Sequence, residues 1–504
     1  MTRSDYKLIP AAFTAIPSLA TSRSVSVSAV AAVGDDVDAI GYTVGPDGSV
    51  PAAIGLDGAA LARAGFSGKV GETLLVPTSS GPEVFAVGTG DPAEVTPTTL
   101  RNVAAAFARA AKSAARLGLV VADSPAAPVE AGRAIAEGVL LARYAYTALQ
   151  SAPKAVAVTA LEVLVDGASV DEVSAGLEQG RIAARSANLA RDLANTPPSH
   201  LTASDLADVA EQLGGEFGFG VESFGRAQLV EMRCGGLLGV NAGSAEEPRM
   251  IKLVYTPENA NGHHVAFVGK GIMYDSGGIS LKPSDPMHLL MKMDMGGAAA
   301  VLGAFTSFAD LDSGTRVTAF LSCTDNMPSS GAYKLGDVLT ARNGTTIEVK
   351  NTDAEGRLVM SDALVLATEE KPDAIVDIAT LTGAALMALG GATAALLGND
   401  TAVIEAVKTA GASTGEQVWQ LPLEKSYRKQ LDSEIADISN LGGPHAGATT
   451  AALFLEEFVD GIPWAHLDIA GTMQSATDDA WRPKGATGFG ARLLADFAVG
   501  YDPA

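Results

Sequence analysis

The chain has 504 residues, of which 47% are hydrophobic and 18% charged, and its formal net charge at pH 7 is −23. This length allows two domains with sizeable cores, and the composition excludes a disordered chain. The acidic charge argues against a nucleic-acid-binding surface, which needs clustered lysine and arginine, and it suits a soluble enzyme.

Three features of the sequence bear on its location. The two cysteines, Cys234 and Cys323, lie far apart in apolar surroundings, so no disulfide framework is indicated, which fits a reducing compartment. Residues 1–17 lack the continuous apolar core of a signal peptide. The uncharged window 378–398 is rich in alanine, glycine and threonine, which favours a buried strand, turn and strand over a membrane-spanning helix. We therefore expect a cytoplasmic protein with no membrane partner.

Residues 1–170 alternate short β-like runs with helical patterns, which is typical of an α/β domain. Predicted strands cover 24–30, 73–76, 84–87 and 155–163, and predicted helices cover 99–117 and 128–149. The region contains no phosphate-binding glycine loop and no histidine. We predict that it has a structural role, either in packing on the second domain or in assembly of an oligomer.

Residues 171–194 are predicted to form a long helix that connects the domains and ends before the Asn-Thr-Pro-Pro breaker. A second α/β pattern occupies residues 195–504. Its predicted strands cover 265–269, 317–322, 346–350, 374–379 and 465–469, and its predicted helices cover 202–213, 296–308, 358–370 and 449–459. Apolar strands between helices predict an α/β/α domain with a mainly parallel central sheet and functional groups at the carboxyl ends of the strands.

The sequence Asn-Thr-Asp-Ala-Glu-Gly-Arg-Leu at residues 351–358 concentrates charge between a predicted strand and a predicted helix. Asp353, Glu355 and Arg357 alternate with small residues, and in extended backbone this spacing would place all three side chains on one side. Crowded carboxylates at a strand end are costly unless something neutralises them, and a divalent cation does so. Taken alone, the stretch is also explained as a solvated acidic turn.

Two other segments supply charged groups at strand ends or helix starts. Lys270 and Asp275 follow the predicted strand 265–269, and Asp294 opens an alanine-rich helix. With the pair in 351–358 they give four carboxylates, oxygen ligands that suit Mg, Mn or Zn, and shared carboxylates suit a pair of metals. From spacing alone, a salt bridge explains Lys270 as well as a ligand role does, because a ligating amine must be neutral.

These residues resemble the dinuclear leucine aminopeptidase, or cytosol aminopeptidase, family. The octapeptide 351–358 matches the family pattern without a mismatch, and 268–278 and 294–297 match around it. Further agreement lies at 195–197, 325–328, 336–340, 380–383 and 466–471. The resemblance covers about residues 185–500, whereas the N-terminal part agrees only in layout.

The resemblance implies two divalent metal ions in each subunit, with Mn, Zn and Mg all compatible with the ligands. Asp275 and Glu355 would bridge the two ions. Lys270 and Asp294 would complete one site, and Asp353, with its main-chain carbonyl, would complete the other. Two cations this close lower the pKa of a bridging water enough to form hydroxide near neutral pH.

The resemblance also implies roles for groups that do not bind metal. Lys282 would polarise the scissile carbonyl and stabilise the oxyanion, and Arg357 would hold a bicarbonate ion that serves as general base. The main chain around Leu381 and Gly383 would line the substrate cleft. The implied activity is removal of N-terminal amino acids, leucine and similar residues, from peptide substrates by a homohexamer.

One departure from the family pattern lies between Lys282 and Asp294, where the chain carries one residue more than the commonest spacing. A one-residue bulge would leave Asp294 in place, but it would reshape the cleft wall, which Met291 is expected to line. Metal binding is therefore less affected by this departure than substrate preference.

A DNA-binding or scaffold role for a hexamer, independent of peptidase activity, is the alternative function. The net charge of −23 and the lack of a Lys/Arg run argue against DNA binding, and the intact set of site residues argues against an inactive scaffold. No H-E-x-x-H sequence is present, so a mononuclear zinc peptidase is not supported.

Overall fold

The structure is a computed structural model that describes residues 9–10, 12–46, 49–122 and 124–502. The chain divides into two compact units. The smaller contains Ile16–Asn188 and Ser475–Gly485, and the larger contains Leu189–Gln474 and the segment that follows Gly485. The chain passes from one unit to the other inside the helix Val170–Asn195, which covers the predicted 171–194.

The smaller unit is an α/β domain built around a six-stranded sheet. Its strands are β1 Ser26–Ala29, β2 Ala39–Val44, β3 Thr73–Val76, β4 Glu83–Gly88, β5 Arg116–Val121 and β6 Ala160–Val165. Its helices are α1 Ser18–Ser24, α2 Gly58–Arg63, α3 Pro97–Ala110, α4 Pro128–Ala142 and the first part of α5 Val170–Asn195. The strand order is β1-β6-β5-β2-β4-β3, and all neighbours are parallel except β3 and β4.

The sequence prediction for this unit is wrong where an apolar run follows a helix. The helix predicted over 99–117 ends at Ala110, and the residues after it form the central strand β5. A short apolar run does not distinguish a strand from a buried helix, and here pairing with β2 and β6 on either side decides the outcome. The strands predicted at 73–76 and 84–87 are confirmed as β3 and β4.

The larger unit alternates strands and helices along most of its length. Its strands are β7 Gly220–Phe224, β8 Arg249–Tyr255, β9 His264–Asp275, β10 Arg316–Asn326, β11 Val338–Thr340, β12 Thr346–Glu348, β13 Ala374–Ala379, β14 Ala394–Gly398, β15 Val418–Gln420, β16 Ile438–Ser439 and β17 Trp464–Asp468, with β18 Gln474–Ser475 and β19 Gly485–Ala486 at its boundary. Its helices are α6 Ala203–Phe217, α7 Arg226–Glu231, α8 Gly235–Asn241, α9 Pro286–Leu289, α10 Gly296–Phe305, α11 Glu355–Glu369, α12 Gly383–Leu389, α13 Thr401–Thr414, α14 Gly447–Glu456 and α15 Ala491–Val499.

The central sheet of the larger unit has eight strands in the order β15-β14-β17-β13-β9-β10-β8-β7. Its middle strands β17, β13, β9 and β10 are mutually parallel. Their carboxyl ends therefore meet at one edge of the sheet, the edge at which α/β proteins bind ligands. Asp275, Asn326 and Asp468 end three of these strands. The predicted α/β fold with a parallel centre is confirmed.

Helices cover both faces of this sheet. Ala266 and Val268 on β9 share one core with residues of α8, α11 and α14. On the other face α10 approaches so closely that a Cβ on Gly269 would lie 2.8 Å from the Cα of Ala298. Among the described residues, no helix combines the length and the apolar character needed to cross a membrane.

The strand predicted over 346–350 is shorter and lies elsewhere than expected. It is β12, and it belongs to a separate three-stranded sheet in the order β11-β12-β16. An apolar β pattern predicts a strand but not its partners, which here come from residues about 10 and 90 positions away. The charged octapeptide thus leaves a small side sheet, not the central one.

Candidate active site

Lys270 lies within β9, buried among acceptors. Its Nζ is 2.8 Å from Oδ1 of Asp294 and 2.9 Å from Oε1 of Glu355, and it donates to the carbonyl oxygen of Thr380 at 2.7 Å. Burial lowers the pKa of this amine, but the carboxylates around it, Asp294 first, outweigh burial and raise its pKa above the ordinary value. Lys270 is therefore an ammonium group at the centre of an acidic cluster.

Asp294 accepts hydrogen bonds from two segments at the edge of the sheet, one in β9 and one after β13. Its Oδ1 accepts a hydrogen bond from Oγ1 of Thr380 at 2.7 Å, and its carbonyl oxygen accepts one from the N–H of Ile272 at 3.2 Å. Burial raises the pKa of its carboxyl well above the ordinary range, although Lys270 opposes the shift. The carboxylate stands just before α10, as the sequence predicts.

The segment 351–358 turns from the side sheet into α11. That helix begins at Glu355, so Glu355 and Arg357 lie in its first turn, and the extended backbone predicted for this stretch is wrong. The turn is fixed by a hydrogen bond from the N–H of Asp353 to Oδ1 of Asn351 at 2.8 Å. Helical backbone is favourable for Glu355, because the first turn of a helix stabilises negative charge.

Gly277 lets the loop after β9 approach this segment. Its φ is +87°, and its carbonyl oxygen accepts a hydrogen bond from Oγ1 of Thr352 at 2.7 Å. A Cβ at this position would lie 2.5 Å from the carbonyl oxygen of Ser280 and 2.8 Å from Oδ1 of Asp353. Glycine is therefore required here both for the backbone angle and for space.

We expect Gly277→Ala to destabilise the protein and lower its thermal unfolding midpoint. Backbone strain alone costs about 1–3 kcal/mol, and the loss should be larger because the new methyl group would also displace its neighbours. The matched control is Gly336→Ala, since Gly336 has a φ of +91° with no atom within 4 Å of the added Cβ. Calorimetry of both variants measures the difference. Equal losses of stability would show that the close approach at Gly277 is unimportant.

Three carboxylates meet at the carboxyl end of β9. Asp275, Asp353 and Glu355 each place one oxygen within 4.8 Å of the oxygens of the other two. Oδ1 of Asp275 accepts hydrogen bonds from the N–H of Gly277 and from Nδ2 of Asn326, both at 2.8 Å. These bonds orient the carboxylate of Asp275, and its Oδ2 lies 2.8 Å from Nζ of Lys282.

Crowding and burial shift the pKa values of these groups. Burial, and next the charge of Glu355, raise the pKa of Asp275 to about 6, and burial likewise raises the pKa of Asp353. Burial would also raise the pKa of Glu355, but Lys270 and Lys282 outweigh it and lower that pKa. The cluster therefore holds carboxylates that repel one another, which nearby positive charge relieves.

This set of donors fits divalent cations. Oε2 of Glu355 is buried and, among the described residues, has no hydrogen-bond partner. A buried carboxylate oxygen without a donor is costly unless a cation takes its lone pair. Carboxylate oxygens are also the ligands that Mn, Mg and Zn accept. With Asp294, the four carboxylates outnumber the two lysines among them, so net negative charge remains for cations to neutralise.

Lys282 enters the cluster from the solvent side. Its Nζ is 2.8 Å from Oδ2 of Asp275 and 2.6 Å from Oδ1 of Asp353, and its side chain is 21% exposed. Burial lowers the pKa of this amine, but Asp275 and then Asp353 outweigh it and raise the pKa above the ordinary value. Lys282 thus pairs with Asp275 and Asp353 at the accessible edge of the cluster, whereas Lys270 pairs with Asp294 and Glu355 in its buried part.

Arg357 is buried, and within the part of the chain that the structure describes no ion pair joins its guanidinium to a carboxylate. Among the described residues, its Nε and Nη1 have no hydrogen-bond partner. Burial lowers the pKa of the guanidinium to about 10, although Glu355 and Asp468 oppose the shift, so the group remains cationic at neutral pH. A buried cation with unused donors is the chemistry of an anion-binding site.

Several polar residues that hold the site received no role from the sequence. Asp468 accepts hydrogen bonds from the N–H groups of Leu381 and Thr382, both at 3.2 Å, and from Oγ1 of Thr382 at 2.6 Å. Through this loop it positions Thr380, which contacts Lys270. The signal that could have identified these residues is their position, because they are polar and lie at the ends of buried strands.

The three residues predicted to line the cleft occupy different settings. Met291 is buried, and Gly383 opens α12 with free space around its Cα. Leu381 approaches the Lys270 end of the cluster: a Cβ on Gly356 would lie 3.0 Å from Cδ1 of Leu381 and 2.7 Å from Cε of Lys270. Contact with substrate stays a prediction for all three.

Comparison with known proteins gives the chain a family. The catalytic domain of the cytosol aminopeptidase family matches residues 188–495, and the N-terminal domain of the same family matches residues 54–153. A probable cytosol aminopeptidase of Roseiflexus castenholzii is 43% identical over 85% of this chain and 90% of its own length. A probable cytosol aminopeptidase of Streptomyces avermitilis is 42% identical over 95% of this chain and 98% of its own length.

A solved structure shares the fold of this chain over nearly its whole length. The bottromycin maturation enzyme BotP in complex with Mn is 38% identical and superposes with a TM-score of 0.83 over 92% of this chain and 98% of its own. Both matched domains, the level of identity and the shared fold lead to one conclusion. This chain belongs to the cytosol aminopeptidase family, and it is a metal-dependent aminopeptidase.

Proposed function

We propose that this protein is a dinuclear aminopeptidase that removes N-terminal amino acids, leucine and similar residues, from peptides. The observation that carries this proposal is the convergence of four carboxylates and two lysines at the carboxyl end of β9, with Oε2 of Glu355 left for a cation. The names of the relatives, cytosol aminopeptidases, support peptide substrates and a cytoplasmic location.

Two divalent ions would be held by the acidic cluster. Asp275 and Glu355 would bind both. Asp294 and Lys270 would complete one site, and Lys270 would lose its ammonium proton to solvent to do so, because a nearby cation lowers the pKa of an amine and only the neutral amine can ligate. Asp353, with its main-chain carbonyl, would complete the other. When bound, the ions supply Lewis acidity for a water nucleophile and for the peptide carbonyl. BotP was solved in complex with Mn, which supports Mn as the first metal to test, with Zn and Mg as the others.

Lys282 would stabilise the charge that develops on the substrate carbonyl. Its two carboxylate partners, Asp275 and Asp353, are metal ligands in this scheme, so cations would compete for them and release the ammonium toward substrate. The group is accessible at the edge of the cluster. A donor whose interaction strengthens as negative charge develops accelerates the chemical step.

Arg357 would hold a bicarbonate ion that accepts a proton from the nucleophilic water. The carboxylates of the cluster would all be engaged as ligands, so none remains as a general base. The guanidinium is cationic, buried and has unused donors at Nε and Nη1. A planar anion with several acceptor oxygens matches this fork of donors.

The remaining assignments concern substrate and assembly. Met291, Leu381 and Gly383 would line the cleft and set the preference for the N-terminal side chain. We propose a homohexamer with residues 1–170 as the assembly domain, 171–194 as the connecting helix and 195–504 as the catalytic domain. The net charge of −23 argues against the alternative of a DNA-binding hexamer.

Chelation is expected to abolish hydrolysis of leucine p-nitroanilide, by on the order of 10³-fold, and added Mn or Zn should restore it. N-acetyl-leucine p-nitroanilide is the control substrate, since an aminopeptidase needs the free amine. Elemental analysis before and after chelation establishes how much metal was removed. Full activity in protein shown to be free of metal would overturn the proposal.

A further inference from the structure

A bulge in the central sheet brings an amide side chain to the carboxylate cluster. β9 and β10 pair in a regular parallel register as far as Thr324, which lies opposite Ile272, and one residue of β9, Met273, is then skipped. Asn326 consequently lies opposite Asp275, where both strands end. Bulges re-aim side chains in this way and are common beside active sites. The proposed reaction gives Asn326 no task.

The amide of Asn326 donates in two directions. Its Nδ2 is 2.8 Å from Oδ1 of Asp275 and 2.9 Å from the carbonyl oxygen of Thr352. A carboxylate and a carbonyl only accept, so the orientation of the amide is determined, because a flipped amide would place its own oxygen against two acceptors. Thr352 precedes Asp353 in the chain. One NH₂ group therefore joins one carboxylate of the cluster to the segment that carries another.

The carbonyl oxygen of Thr352 is held by a second donor. It accepts a hydrogen bond from the hydroxyl of Tyr333 at 2.8 Å, and Thr352, Tyr333 and Asn326 are at most 4% exposed. Two donors use both lone pairs of the oxygen and fix the plane of the peptide that leads into Asp353. The N–H of that peptide donates to Oδ1 of Asn351 at 2.8 Å. Buried side chains thus set the orientation of the backbone at Asp353.

The backbone of Asn326 is anchored independently of its amide. Its main-chain carbonyl oxygen accepts hydrogen bonds from the N–H of Ser276 at 3.1 Å and from Oγ of Ser276 at 2.7 Å. Its side-chain Oδ1, in contrast, is buried and has no hydrogen-bond partner among the described residues. A buried acceptor without a donor is costly, and an apolar side chain would avoid that cost. The two donor bonds of the amide are therefore the reason to expect a role for it.

We propose that Asn326 is a positioning residue of the metal centre, which holds Asp275 and the segment of Asp353 together so that their carboxylates serve one ion. This inference rests on the proposed function, in which both carboxylates are metal ligands. A neutral amide can orient a ligand without competing with the ion for it, as a lysine would. The site completed by Asp353 should depend on Asn326 most, because the other site keeps Lys270 and Asp294, which are hydrogen-bonded to each other.

Calorimetric titration of chelated, full-length protein with Mn measures the number and the affinity of the metal sites without catalysis. We expect Asn326→Ala to weaken the site completed by Asp353 about 10- to 100-fold, the usual effect of removing a group that orients a metal ligand. The variant should then hold one Mn per chain at concentrations that fill two sites in the wild type. Saturating Mn should restore most of the turnover number, because Asn326 acts through the ligands and not on the substrate.

Asn241→Ala is the matched control. Asn241 is also a fully buried asparagine, and its Nδ2 likewise donates twice, to Oγ1 of Thr324 at 2.9 Å and to the carbonyl oxygen of Glu246 at 3.0 Å. Neither acceptor belongs to the carboxylate cluster. The control should lower the thermal unfolding midpoint of the metal-free protein at least as much as Asn326→Ala does, but it should leave both Mn affinities unchanged.

Tyr333→Phe removes the other donor to the carbonyl oxygen of Thr352 and keeps the ring in place. We expect this change alone to weaken the site completed by Asp353 about three- to tenfold. Combined with Asn326→Ala, it should weaken that site by more than the product of the two single effects, because the buried carbonyl then loses both donors. A purely structural role for either residue would not produce this coupling in metal affinity.

The outcomes separate this inference from the proposed function. An unchanged Mn affinity in Asn326→Ala, or equal losses of affinity in Asn326→Ala and Asn241→Ala, overturns the inference and leaves the proposed function standing. Wild-type protein that binds fewer than two Mn ions per chain rejects the dinuclear centre, and the inference with it. If Asn326→Ala does not fold, Tyr333→Phe decides, and an unchanged Mn affinity in that variant overturns the inference.

Discussion

Replacing Glu355 with alanine is expected to reduce aminopeptidase activity by at least about 10³-fold, because the carboxylate proposed to bind both metal ions is lost. The metal content per chain should fall in parallel. The fold should persist, since Lys270 keeps Asp294 and the carbonyl of Thr380 as partners after the substitution. Turnover of leucine p-nitroanilide, elemental analysis and circular dichroism measure the three quantities.

Glu369→Ala is the matched control for this prediction. Glu369 is the last residue of the same helix, and its side chain is 49% exposed and pairs with Arg342. An exposed pair of this kind contributes about 0–1 kcal/mol, so the control should retain activity and metal. Near-normal activity of Glu355→Ala would reject the dinuclear assignment, even if its metal content were reduced.

Lys282→Ala is expected to lower the turnover number about 10²- to 10³-fold while the metal content stays at the wild-type level. The substitution removes a donor to the developing oxyanion, but it also removes a cation that competes for Asp275 and Asp353. Metal affinity should therefore be unchanged or higher. Steady-state kinetics with added Mn, together with elemental analysis, measure both effects.

Lys350→Ala is the control for Lys282. Lys350 stands beside the octapeptide, but its Nζ lies 3.7 Å from Oε2 of Glu348 and donates to the carbonyl oxygen of Asp432 at 3.2 Å, neither of which belongs to the cluster. It should keep the wild-type rate. A loss of metal in Lys282→Ala would instead identify Lys282 as a ligand, and a lower substrate affinity at unchanged turnover would indicate that it only binds substrate.

The sequence by itself determined the chemistry and the family of this protein. The octapeptide 351–358, with Lys270, Asp275 and Asp294, identified the carboxylate-rich cluster and the aminopeptidase family before any contact was known. These residues could be recognised because the signal is local. A metal site needs particular residue types at strand ends and helix starts, and those types can be read from the sequence. The parallel centre of the sheet followed for the same reason, because continuous apolar strands between helices favour it.

Only the tertiary structure decided which groups pair with one another. It placed β12 in a side sheet, began α11 at Glu355, and left Nε and Nη1 of the buried Arg357 without a hydrogen-bond partner among the described residues. It also tied Thr380 to Lys270 and Asp294 across about 110 and 86 positions of sequence. These outcomes depend on which strands become neighbours, and strand pairing is decided by long-range packing that no local pattern encodes.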